Sequence, residues 1–333
     1  MTAKFGVAII GCGFIGQKRA GTLGSRGRLL ACADPEKERA DSVARRYGGA
    51  GFADWAEALA TPGVQVVIVA TRHDALAEIT AAAIRAGKHV LVEKPAGRNP
   101  DEVFPLLELA AAHGVKVHVG FNHRYHRAFR KAREIVDGGA IGELMFLRAR
   151  YGHGGRPGYD REWRADPVLS GGGELIDQGP HLIDLAGWFL GHFAEVQGFA
   201  HTYYWDMPVD DNGFMILRTA AKQVAFLHAS CTEWKNLFSF ELYGRQGKLE
   251  VTGLGGSYGT ERLTHYHMLP EMGPPETTSW EYPMADDSWV AELQEFLDDI
   301  ELDRAPAAGL DAAIAALVIV QQIYKASGYD HHA

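Results

Sequence analysis

The first third of the chain alternates short apolar runs with amphipathic stretches. The apolar runs are rich in valine, isoleucine and alanine, and the stretches between them repeat apolar positions at helical spacing. This alternation is typical of a parallel sheet that is covered by helices on both faces. The predicted strands are 5–10, 29–33, 51–52, 65–70, 88–92 and 115–119. The predicted helices are 14–25, 36–47, 54–60, 75–86 and 101–113. Together the strands form a complete dinucleotide-binding sheet.

After residue 120 the pattern changes to longer strands with polar alternation. The predicted strands are 143–151, 195–204, 212–219, 223–232, 238–243 and 247–251. Such runs, joined by glycine-rich turns, indicate an open and mostly antiparallel sheet. After a first helix at 127–137, helices are predicted at 181–190, 287–303 and 310–326 and should cover one face of this sheet. The other face would be free to pair with another subunit, so we predict a homo-oligomer.

These two patterns predict an α/β fold with two domains. Residues 1–121 form a Rossmann domain, which is a doubly wound parallel sheet that binds a dinucleotide. Residues 122–333 form an α/β domain with an open, mostly antiparallel sheet for substrate binding and oligomerisation. A length of 333 residues agrees with this division, because a domain typically holds about 150 residues.

Composition narrows the classes of partner. Lysine and arginine total 33 and aspartate and glutamate total 42, which gives a net charge of −9. This acidic excess disfavours tight binding to nucleic acid or to an anionic membrane, so small molecules are the expected partners. Because no apolar run approaches about 18 residues and no secretion signal opens the chain, we predict a cytoplasmic protein. Three cysteines without ligand or disulfide spacing predict buried thiols and no metal site.

A glycine-rich turn follows the first predicted strand and opens a helix. Its sequence is Gly11-Cys-Gly13-Phe14-Ile15-Gly16. In this position Gly11 allows a tight turn, Gly13 lets the backbone approach a pyrophosphate, and Gly16 lets the helix pack closely on the strand. The helix N-terminus then meets the phosphate charge. The alternative is a glycine-rich turn that binds no ligand.

Asp34 follows the second predicted strand, about twenty residues after the glycines. A carboxylate there accepts hydrogen bonds from the ribose hydroxyls of an adenosine and repels a 2′-phosphate. We therefore predict NAD as the cofactor rather than NADP. Arg39 could offset the repulsion of a phosphate, although it lies in a charged run that reads as a solvated surface.

Glu93 and Lys94 follow the fifth predicted strand, at the carboxyl edge of the sheet where ligands of such sheets bind. An ammonium group there can donate a hydrogen bond to a substrate oxygen and stabilise negative charge on it. The alternative is an ordinary lysine at the end of a strand. Pro95 fixes the local turn and can take the cis form.

A second cluster lies between Gly171 and Asp184. Asp177 and His181 are four residues apart, a spacing that brings two side chains to one face of a helix, and Asp184 is three residues further on. An imidazole with a carboxylate neighbour can exchange a proton near neutral pH. Pro180 requires the helix to begin shortly before it or to kink there. The alternative for His181 is a structural histidine.

Two further segments combine aromatic and charged residues outside the core pattern. Loops of this kind often line binding sites, and the competing reading is a solvent-facing or subunit-contact loop. The residues predicted to bind substrate in these segments are Asn122, Arg124, Tyr151, Arg156, Tyr159 and Trp163.

These motifs, in this order and spacing, resemble the glucose-fructose oxidoreductase and inositol dehydrogenase family, called Gfo/Idh/MocA. The resemblance extends over nearly the whole chain and includes Ala70-Thr71 and the stretch Ala86–Pro95. It implies a Rossmann domain followed by an open-sheet α/β domain that builds dimers or tetramers. Residue by residue, it implies that Lys94 is the catalytic lysine and that Asp177 and His181 are the catalytic helix residues.

The chain departs from the family pattern after Thr71. Many members have Pro-Asn there and a histidine three residues further on, whereas this chain has Arg72, His73 and Leu76. We expect Ala70, Thr71, Arg72, Glu93 and Lys94 to contact the cofactor, with contacts near 71–76 that differ in detail from those of the family.

The functional hypothesis is an NAD(H)-dependent oxidoreductase that interconverts a secondary ring alcohol and a ketone on a sugar, sugar derivative or cyclitol. His181 would take the hydroxyl proton, Lys94 would stabilise the oxygen, and Asp177 would steady the imidazole or the substrate. This requires Lys94 and His181 to face the same pocket. One alternative is an NAD-dependent glycosidase of the same fold, which often carries a Gly-His-Gly-Gly loop like 152–155. The other is a non-catalytic NAD(H)-binding sensor.

Overall fold

A computed structural model describes residues 4–329 of the chain and divides them into two compact units. The first unit holds the described residues up to Phe121 together with Trp289–Ile314. The second unit holds Asn122–Ser288 and the described residues from Ala315 onward. Assigning all of 122–333 to one domain was therefore incorrect for Trp289–Ile314. This segment joins the first unit because its apolar side chains, including Leu293 and Phe296, are buried in that unit's core.

The first unit contains a six-stranded parallel sheet with the order β3-β2-β1-β4-β5-β6. Its strands are β1 (Phe5–Ile10), β2 (Gly27–Ala33), β3 (Ala50–Phe52), β4 (Val66–Val69), β5 (His89–Val92) and β6 (Val117–Val119). Its helices are α1 (Phe14–Ala20), α2 (Lys37–Tyr47), α3 (Trp55–Leu59), α4 (His73–Arg85) and α5 (Pro100–His113), followed much later by α10 (Ser288–Glu301). The predicted doubly wound Rossmann sheet is confirmed. Its central strands are buried throughout, which explains why they read as continuous apolar runs.

Helix α1 is shorter than the predicted 14–25. It ends at Ala20, and Gly21 and Gly24 follow it, the latter with a φ of +59° that few other residues adopt. Thr22 also caps the end of the helix, because its hydroxyl donates to the Arg19 carbonyl over 2.8 Å.

The second unit contains an eight-stranded sheet with the order β14-β13-β12-β11-β7-β10-β9-β8. Its strands are β7 (Leu144–Gly152), β8 (Phe193–His201), β9 (Asn212–Thr219), β10 (Val224–Ser230), β11 (Leu237–Gly244), β12 (Gly247–Thr252), β13 (Glu261–His267) and β14 (Glu276–Tyr282). Only the β7–β10 pair is parallel among the strand pairs of this described sheet. The predicted open and mostly antiparallel sheet is confirmed. Strand β14 was not predicted, because this edge strand is mostly exposed and has no alternating apolar face.

Helices cover one face of the second sheet. They are α6 (Arg127–Asp137), α8 (Glu174–Asp177), α9 (Gly179–Leu190) and the end of α11 (Leu310–Ser327), whereas the short α7 (Pro167–Ser170) packs on the turn at Trp163–Ala165. Helix α9 packs over β7 and β10 at the middle of the sheet, and these contacts fix its position in the unit. Helix α9 begins at Gly179, which confirms that it starts just before Pro180.

Helix α11 has the length and composition of a membrane-crossing helix, which differs from the expectation that no such stretch exists. It is 18 residues long, and half of it is buried within the protein. A core helix that packs on several sides has the same composition, because apolar residues then occupy most of its surface. Tyr324 on α11 is buried and donates its hydroxyl to Asp210 over 2.6 Å.

Candidate active site

The glycine-rich turn of the first unit contains glycines of two kinds. Gly11 has a φ of +93°, and a Cβ on it would lie 2.4 Å from the Ala70 carbonyl oxygen. A Cβ on Gly16 would lie 1.8 Å from the Gly11 carbonyl oxygen. These two glycines are therefore required by the packing of the chain itself. At Gly13, by contrast, no residue of 4–329 other than Gly13 and its chain neighbours comes within 4 Å of the Cβ position.

The open space at Gly13 fits a bound phosphate group. A glycine that the fold does not need leaves backbone accessible to a ligand, as the pyrophosphate of a dinucleotide requires. Phe14 follows on the first turn of α1 with 82% of its surface exposed, and Ile15 is half-buried. The residues present therefore fit a dinucleotide at this turn.

The carboxylate of Asp34 is fixed beside the glycine turn. One oxygen accepts from the backbone N–H of Cys12 over 2.8 Å, and the other accepts from the backbone N–H of Glu36 over 2.9 Å. Each oxygen keeps a further lone pair that can accept a ribose hydroxyl. Arg39 is half-exposed and pairs with Glu36 over 2.8 Å. This agrees with its interpretation as a surface charge.

The segment after β4 carries the chain's departure from the family pattern. Ala70 follows β4 directly, and Arg72 is the N-cap residue of α4. The Arg72 guanidinium is half-exposed and pairs with Asp74 over 3.2 Å. The Thr71 hydroxyl donates to the Arg72 carbonyl over 3.1 Å. This turn is thus held by side chains of its own.

Lys94 follows β5 and is half-buried, and the Lys94–Pro95 peptide is cis. Its neighbour Glu93 is buried and accepts from Arg19 Nε over 2.7 Å. Arg19 lies on α1, so one ion pair connects the helix that follows the glycine turn to the strand end that carries Lys94.

Arg19 also binds Glu292 on α10, with Nη1 donating over 2.5 Å. We call Arg19, Glu93, Glu292 and His118 the buried ion cluster; His118 Nε2 lies 3.4 Å from Glu292. Burial raises the pKa of Glu93 against the opposing effect of Arg19. Burial also acts against the charged form of Glu292, but Arg19 and His118 outweigh it and hold the pKa of Glu292 below its ordinary value. The sequence did not reveal this cluster, because its members are far apart along the chain.

In the second unit, His181 lies buried in the first turn of α9. Its ring stacks on that of His123 with centroids 3.8 Å apart and planes 19° from parallel. The Tyr151 ring meets both imidazoles edge-on, at 5.1 Å from His123 and 6.1 Å from His181. Sequence reasoning singled out Asn122 and Arg124 but not His123 between them, because nothing local indicates a contact with α9.

Asp177 is not on the same helix as His181. It is the last residue of α8, and Gln178 separates α8 from α9. The expectation of one continuous helical face was therefore wrong, since Pro180 lacks the N–H that would continue α8. The Asp177 carboxylate is buried and accepts from Arg164 Nε over 2.9 Å, and Asp177 raises the pKa of the Arg164 guanidinium.

Asn122 and Arg124 make contacts that hold the second unit together. The Asn122 amide donates to the Ser288 hydroxyl over 3.0 Å. Arg124 forms a bidentate pair with Asp184 on α9, with distances of 2.8 and 2.5 Å. This pair fixes the segment that carries His123 against the helix that carries His181.

The loop after β7 is ordered by its own polar contacts. The buried Tyr159 hydroxyl donates to Glu174 over 3.3 Å, and the exposed Arg156 pairs with Glu162 over 2.7 and 2.6 Å. Trp163 is half-buried and stacks with the Arg164 guanidinium at 4.5 Å. His153 Nδ1 accepts from the Gly155 N–H over 2.9 Å.

The turn before α8 depends on Asp210, which the sequence did not single out. The buried carboxylate accepts from the N–H groups of Gly173 and Leu175 over 2.9 and 2.7 Å, and from the Tyr324 hydroxyl. Burial raises the pKa of Asp210 to about 6 despite these hydrogen bonds. Asp210 thereby positions the turn from which Asp177 and His181 follow.

The fold and the glycine turn define a dinucleotide-binding α/β protein. The oxidoreductase family with an NAD-binding Rossmann fold matches residues 5–121, and the GFO/IDH/MocA C-terminal domain matches residues 129–250. The chain belongs to this Gfo/Idh/MocA oxidoreductase family, as its motifs indicated.

Individual relatives act on sugars and cyclitols. The chain is 31% identical to levoglucosan dehydrogenase of Pseudarthrobacter phenanthrenivorans over 58% of its own length, a match that spans half of that enzyme. It is 27% identical to scyllo-inositol 2-dehydrogenase (NAD(+)) of Bacillus subtilis over 92% of this chain and 90% of the relative. The solved structure of levoglucosan dehydrogenase in complex with NADH and levoglucosan superposes with a TM-score of 0.87, at 23% identity and 97% coverage of both chains.

Proposed function

We propose that this protein oxidises a secondary ring alcohol of a sugar, sugar derivative or cyclitol to a ketone, or catalyses the reverse reaction, with NAD(H). The observation that carries the proposal is the buried His181 imidazole, stacked on His123 and preceded by the Asp177 carboxylate. This group lies in a chain whose first unit matches an NAD-binding Rossmann fold. The relatives that are sugar and cyclitol dehydrogenases support the same substrate class.

His181 acts as the general base in this proposal. A neutral imidazole accepts the hydroxyl proton of the substrate, and burial in a stacked pair restricts the orientation of its ring. Asp177, itself fixed by Arg164, steadies the imidazole or a substrate hydroxyl. Lys94 donates a hydrogen bond to the reacting oxygen and stabilises the charge that develops on it. NAD⁺ held by the glycine turn and Asp34 would supply the acceptor for the hydride that leaves the carbinol carbon.

The cofactor is held by the glycine turn and by Asp34. The open space at Gly13 supports binding of the pyrophosphate, and Phe14, Ile15 and Gly16 form the helix start that faces it. The fixed Asp34 carboxylate supports NAD over NADP, because its charge repels a 2′-phosphate. Ala70, Thr71, Arg72, Glu93 and Lys94 complete the predicted cofactor contacts.

The remaining predicted site residues are proposed to contact substrate from the second unit. Tyr151 is the strongest of them, because its ring touches both imidazoles of the stacked pair. Five further residues are proposed to contact the substrate in addition to making the internal contacts described above. They are Asn122, Arg124, Arg156, Tyr159 and Trp163.

The glycosidase alternative depends on the histidine of the Gly-His-Gly-Gly loop. His153 Nδ1 accepts a backbone hydrogen bond, and Nε2 lies 3.6 Å from the buried Glu174. Burial also lowers the pKa of His153. A ring engaged in this way is suited to holding its loop, which favours the dehydrogenase over the glycosidase.

We also propose a homodimer or homotetramer in the cytoplasm. The sheet face opposite α9 presents neighbouring exposed apolar side chains, among them Ile216, Phe226 and Phe146. A second copy of the chain would cover this face. All three cysteines are free and buried, as is usual in a reducing compartment. Sedimentation velocity tests the assembly: a monomer at micromolar concentration would contradict it.

A substrate screen tests the proposed reaction. Sugars, cyclitols and amino-sugars are incubated with NAD⁺ and, in parallel, with NADP⁺, and formation of the reduced nicotinamide is followed by absorbance. We expect at least one ring alcohol to be oxidised, with higher kcat/KM for NAD⁺. Chromogenic glycosides are tested beside them without added cofactor. Cleavage of a glycoside without net reduction of cofactor would establish the glycosidase instead, and NADH binding without any turnover would establish the sensor.

A further inference from the structure

Three loops of the second unit leave the sheet at the same end. Gly152 at the end of β7 is in register with Ser230 at the end of β10, and Ser230 is in register with Asn212 at the start of β9. Asn212 in turn pairs with His201 at the end of β8. The segments 153–158, 202–209 and 231–236 therefore meet at one edge, where the last two carry a group of aromatic residues and the first packs against it.

Trp205 is the fixed centre of this group. Its indole N–H donates to the Cys231 carbonyl over 3.1 Å. The Asp211 carboxylate accepts from the backbone N–H groups of Tyr203, Tyr204 and Trp205 over 2.9, 2.7 and 3.1 Å, which ties down the whole loop. A Cβ on Gly155 would lie 2.3 Å from the Trp205 ring, so the glycine loop after β7 lies directly on this indole.

Two exposed rings stand beside Trp205 and form a right-angled corner. The Tyr204 and Trp234 rings have centroids 4.7 Å apart and planes 82° from parallel. Their exposed fractions are 56% and 70%. We call Tyr204, Trp205 and Trp234 the aromatic corner. Trp234 has a φ of +56°, a left-handed conformation that is costly for a residue with a bulky side chain.

Contacts with the neighbouring loop hold Trp234 in this left-handed backbone conformation. The neighbouring Glu233 N–H donates to the His153 carbonyl over 3.0 Å. A Cβ on Gly154 would lie 3.1 Å from the Trp234 backbone, so the glycine is needed for this close approach. Strained residues that the surrounding structure holds in place are typical of binding sites, which makes this group of rings a candidate site.

The aromatic corner is continuous with the candidate active site. Tyr151 packs edge-on against His181, and Gly154 is three positions after Tyr151, an offset that spans at most about 10 Å of extended chain. A second connection runs through Tyr159, whose ring packs on Trp205 at 5.6 Å and whose hydroxyl donates to Glu174, three residues before Asp177. The corner is thus connected to the candidate active site through Tyr151 and Tyr159.

We propose that the aromatic corner binds the second ring of a glycoside, so that the preferred substrate is a sugar linked to another sugar or to an aryl group. The proposal rests on the proposed oxidation of a sugar ring at His181. Tyrosine and tryptophan offer flat apolar faces with a polar tip, which suit the C–H face of a pyranose or an aromatic aglycone. The net charge of −9 disfavours nucleic acid as the ligand of these rings.

The test compares aryl and methyl glycosides of the same sugars. Binding of the p-nitrophenyl and methyl β-glycosides of glucose, galactose, xylose and N-acetylglucosamine is measured by titration calorimetry with NADH-loaded protein. Turnover with NAD⁺ is measured separately, so a failure of the proposed reaction is distinguished from a failure of the subsite. The variants are Tyr204→Ala and Trp234→Ala, and the control is Tyr203→Ala, an exposed ring of the same loop that packs on His201 and Phe214 instead.

We expect at least one p-nitrophenyl glycoside to bind about tenfold more tightly than its methyl counterpart, and both variants to abolish that difference. Tyr203→Ala should retain it, and binding of the methyl glycosides should be unchanged in all variants. Equal affinity for the aryl and methyl members of every pair would overturn the proposal, whatever the turnover assay shows. It would also be overturned if the variants reduced the size of the assembly in sedimentation, because the corner would then be a subunit contact.

Discussion

The glycine turn of the first unit and the histidine pair of the second unit are ordered in different ways. The glycine turn is shaped by close backbone contacts, both within the turn, between Gly11 and Gly16, and between Gly11 and Ala70 after β4. The histidine pair joins two segments about 60 residues apart through ring stacking and through the bidentate Arg124–Asp184 pair, whose members are 60 residues apart in the chain. The first kind of site tolerates little change in the backbone, whereas the second depends on particular side chains.

The largest effect is expected at the reacting groups. His181→Ala and Lys94→Ala should each lower kcat by about a hundredfold or more, because they remove a general base and an oxygen-stabilising donor. The NADH dissociation constant of His181→Ala should stay within about threefold of wild type, since this residue lies outside the Rossmann unit. His265→Gln on β13 is the matched control and should keep full activity. A wild-type kcat in His181→Ala would show that His181 is not the general base.

The buried ion cluster and the exposed Arg39–Glu36 pair should differ in how much each contributes to the free energy of unfolding. Arg19→Met leaves Glu93 and Glu292 buried without their cation and should lower the free energy of unfolding by about 3 to 5 kcal/mol. Arg39→Met removes the exposed pair with Glu36 and should change it by less than about 1 kcal/mol. Urea unfolding monitored by circular dichroism measures both variants. Equal losses in the two would mean that the cluster does not stabilise the unit.

Two glycine substitutions distinguish the needs of the ligand from those of the fold. Gly13→Ala meets open space, so its unfolding midpoint should match wild type while its dissociation constant for NADH rises about tenfold or more. Gly16→Ala meets the Gly11 carbonyl and should lower stability by about 1 to 3 kcal/mol. NADH fluorescence titration and thermal unfolding give the two quantities. Undiminished NADH affinity in Gly13→Ala would place the pyrophosphate elsewhere.

Asp34 is expected to set the cofactor preference. Asp34→Ser removes the charge that repels a 2′-phosphate, so the ratio of kcat/KM for NAD⁺ over NADP⁺ should fall about tenfold. Arg39→Ser serves as the control and should leave the ratio unchanged. Initial rates with both cofactors measure it. An unaltered ratio in Asp34→Ser would show that another residue selects the cofactor.

The smallest effect concerns Asp210 and pH. Its folded-state pKa of about 6 is above the ordinary value, so the folded protein holds this proton more tightly than the unfolded chain does. The stabilising contribution is therefore complete below the unfolded pKa and is lost as pH rises through about 6. Between about pH 5 and about pH 7, wild type should lose about 1 kcal/mol more stability than Asp210→Asn. Identical pH profiles for the two proteins would contradict this assignment.

Sequence periodicity was sufficient for the Rossmann sheet because its central strands β1, β4 and β5 are mostly buried apolar runs. It was also sufficient for the start of α9, since Pro180 is favoured in the first turn of a helix, where its missing N–H leaves no hydrogen bond unmade. It could not place Trp289–Ile314, because an amphipathic helix packs equally well on any apolar surface and its partner core is remote in the chain. Strand β14 lacked a signal for a different reason: both of its faces are largely exposed.

The residues of the candidate site also differ in whether the sequence could predict them. The glycine turn and Asp34 could be predicted, because the spacing of these residues relative to the first two strands is itself the signal for a dinucleotide site. The stacking partner His123 and the anchor Asp210 could not, because each acts through a contact with a segment distant in sequence. A histidine within the segment 122–125 carries no local sign that α9 packs against it.

The central proposal is that Lys94 and His181 act on the same hydroxyl group in one step. A double-mutant cycle on kcat/KM for one confirmed substrate tests it most directly. We predict that the double variant Lys94→Ala/His181→Ala loses little more than the worse single variant, because residues that act as a unit are strongly non-additive. Losses that multiply in full would contradict the account, because the two residues would then be acting in independent steps.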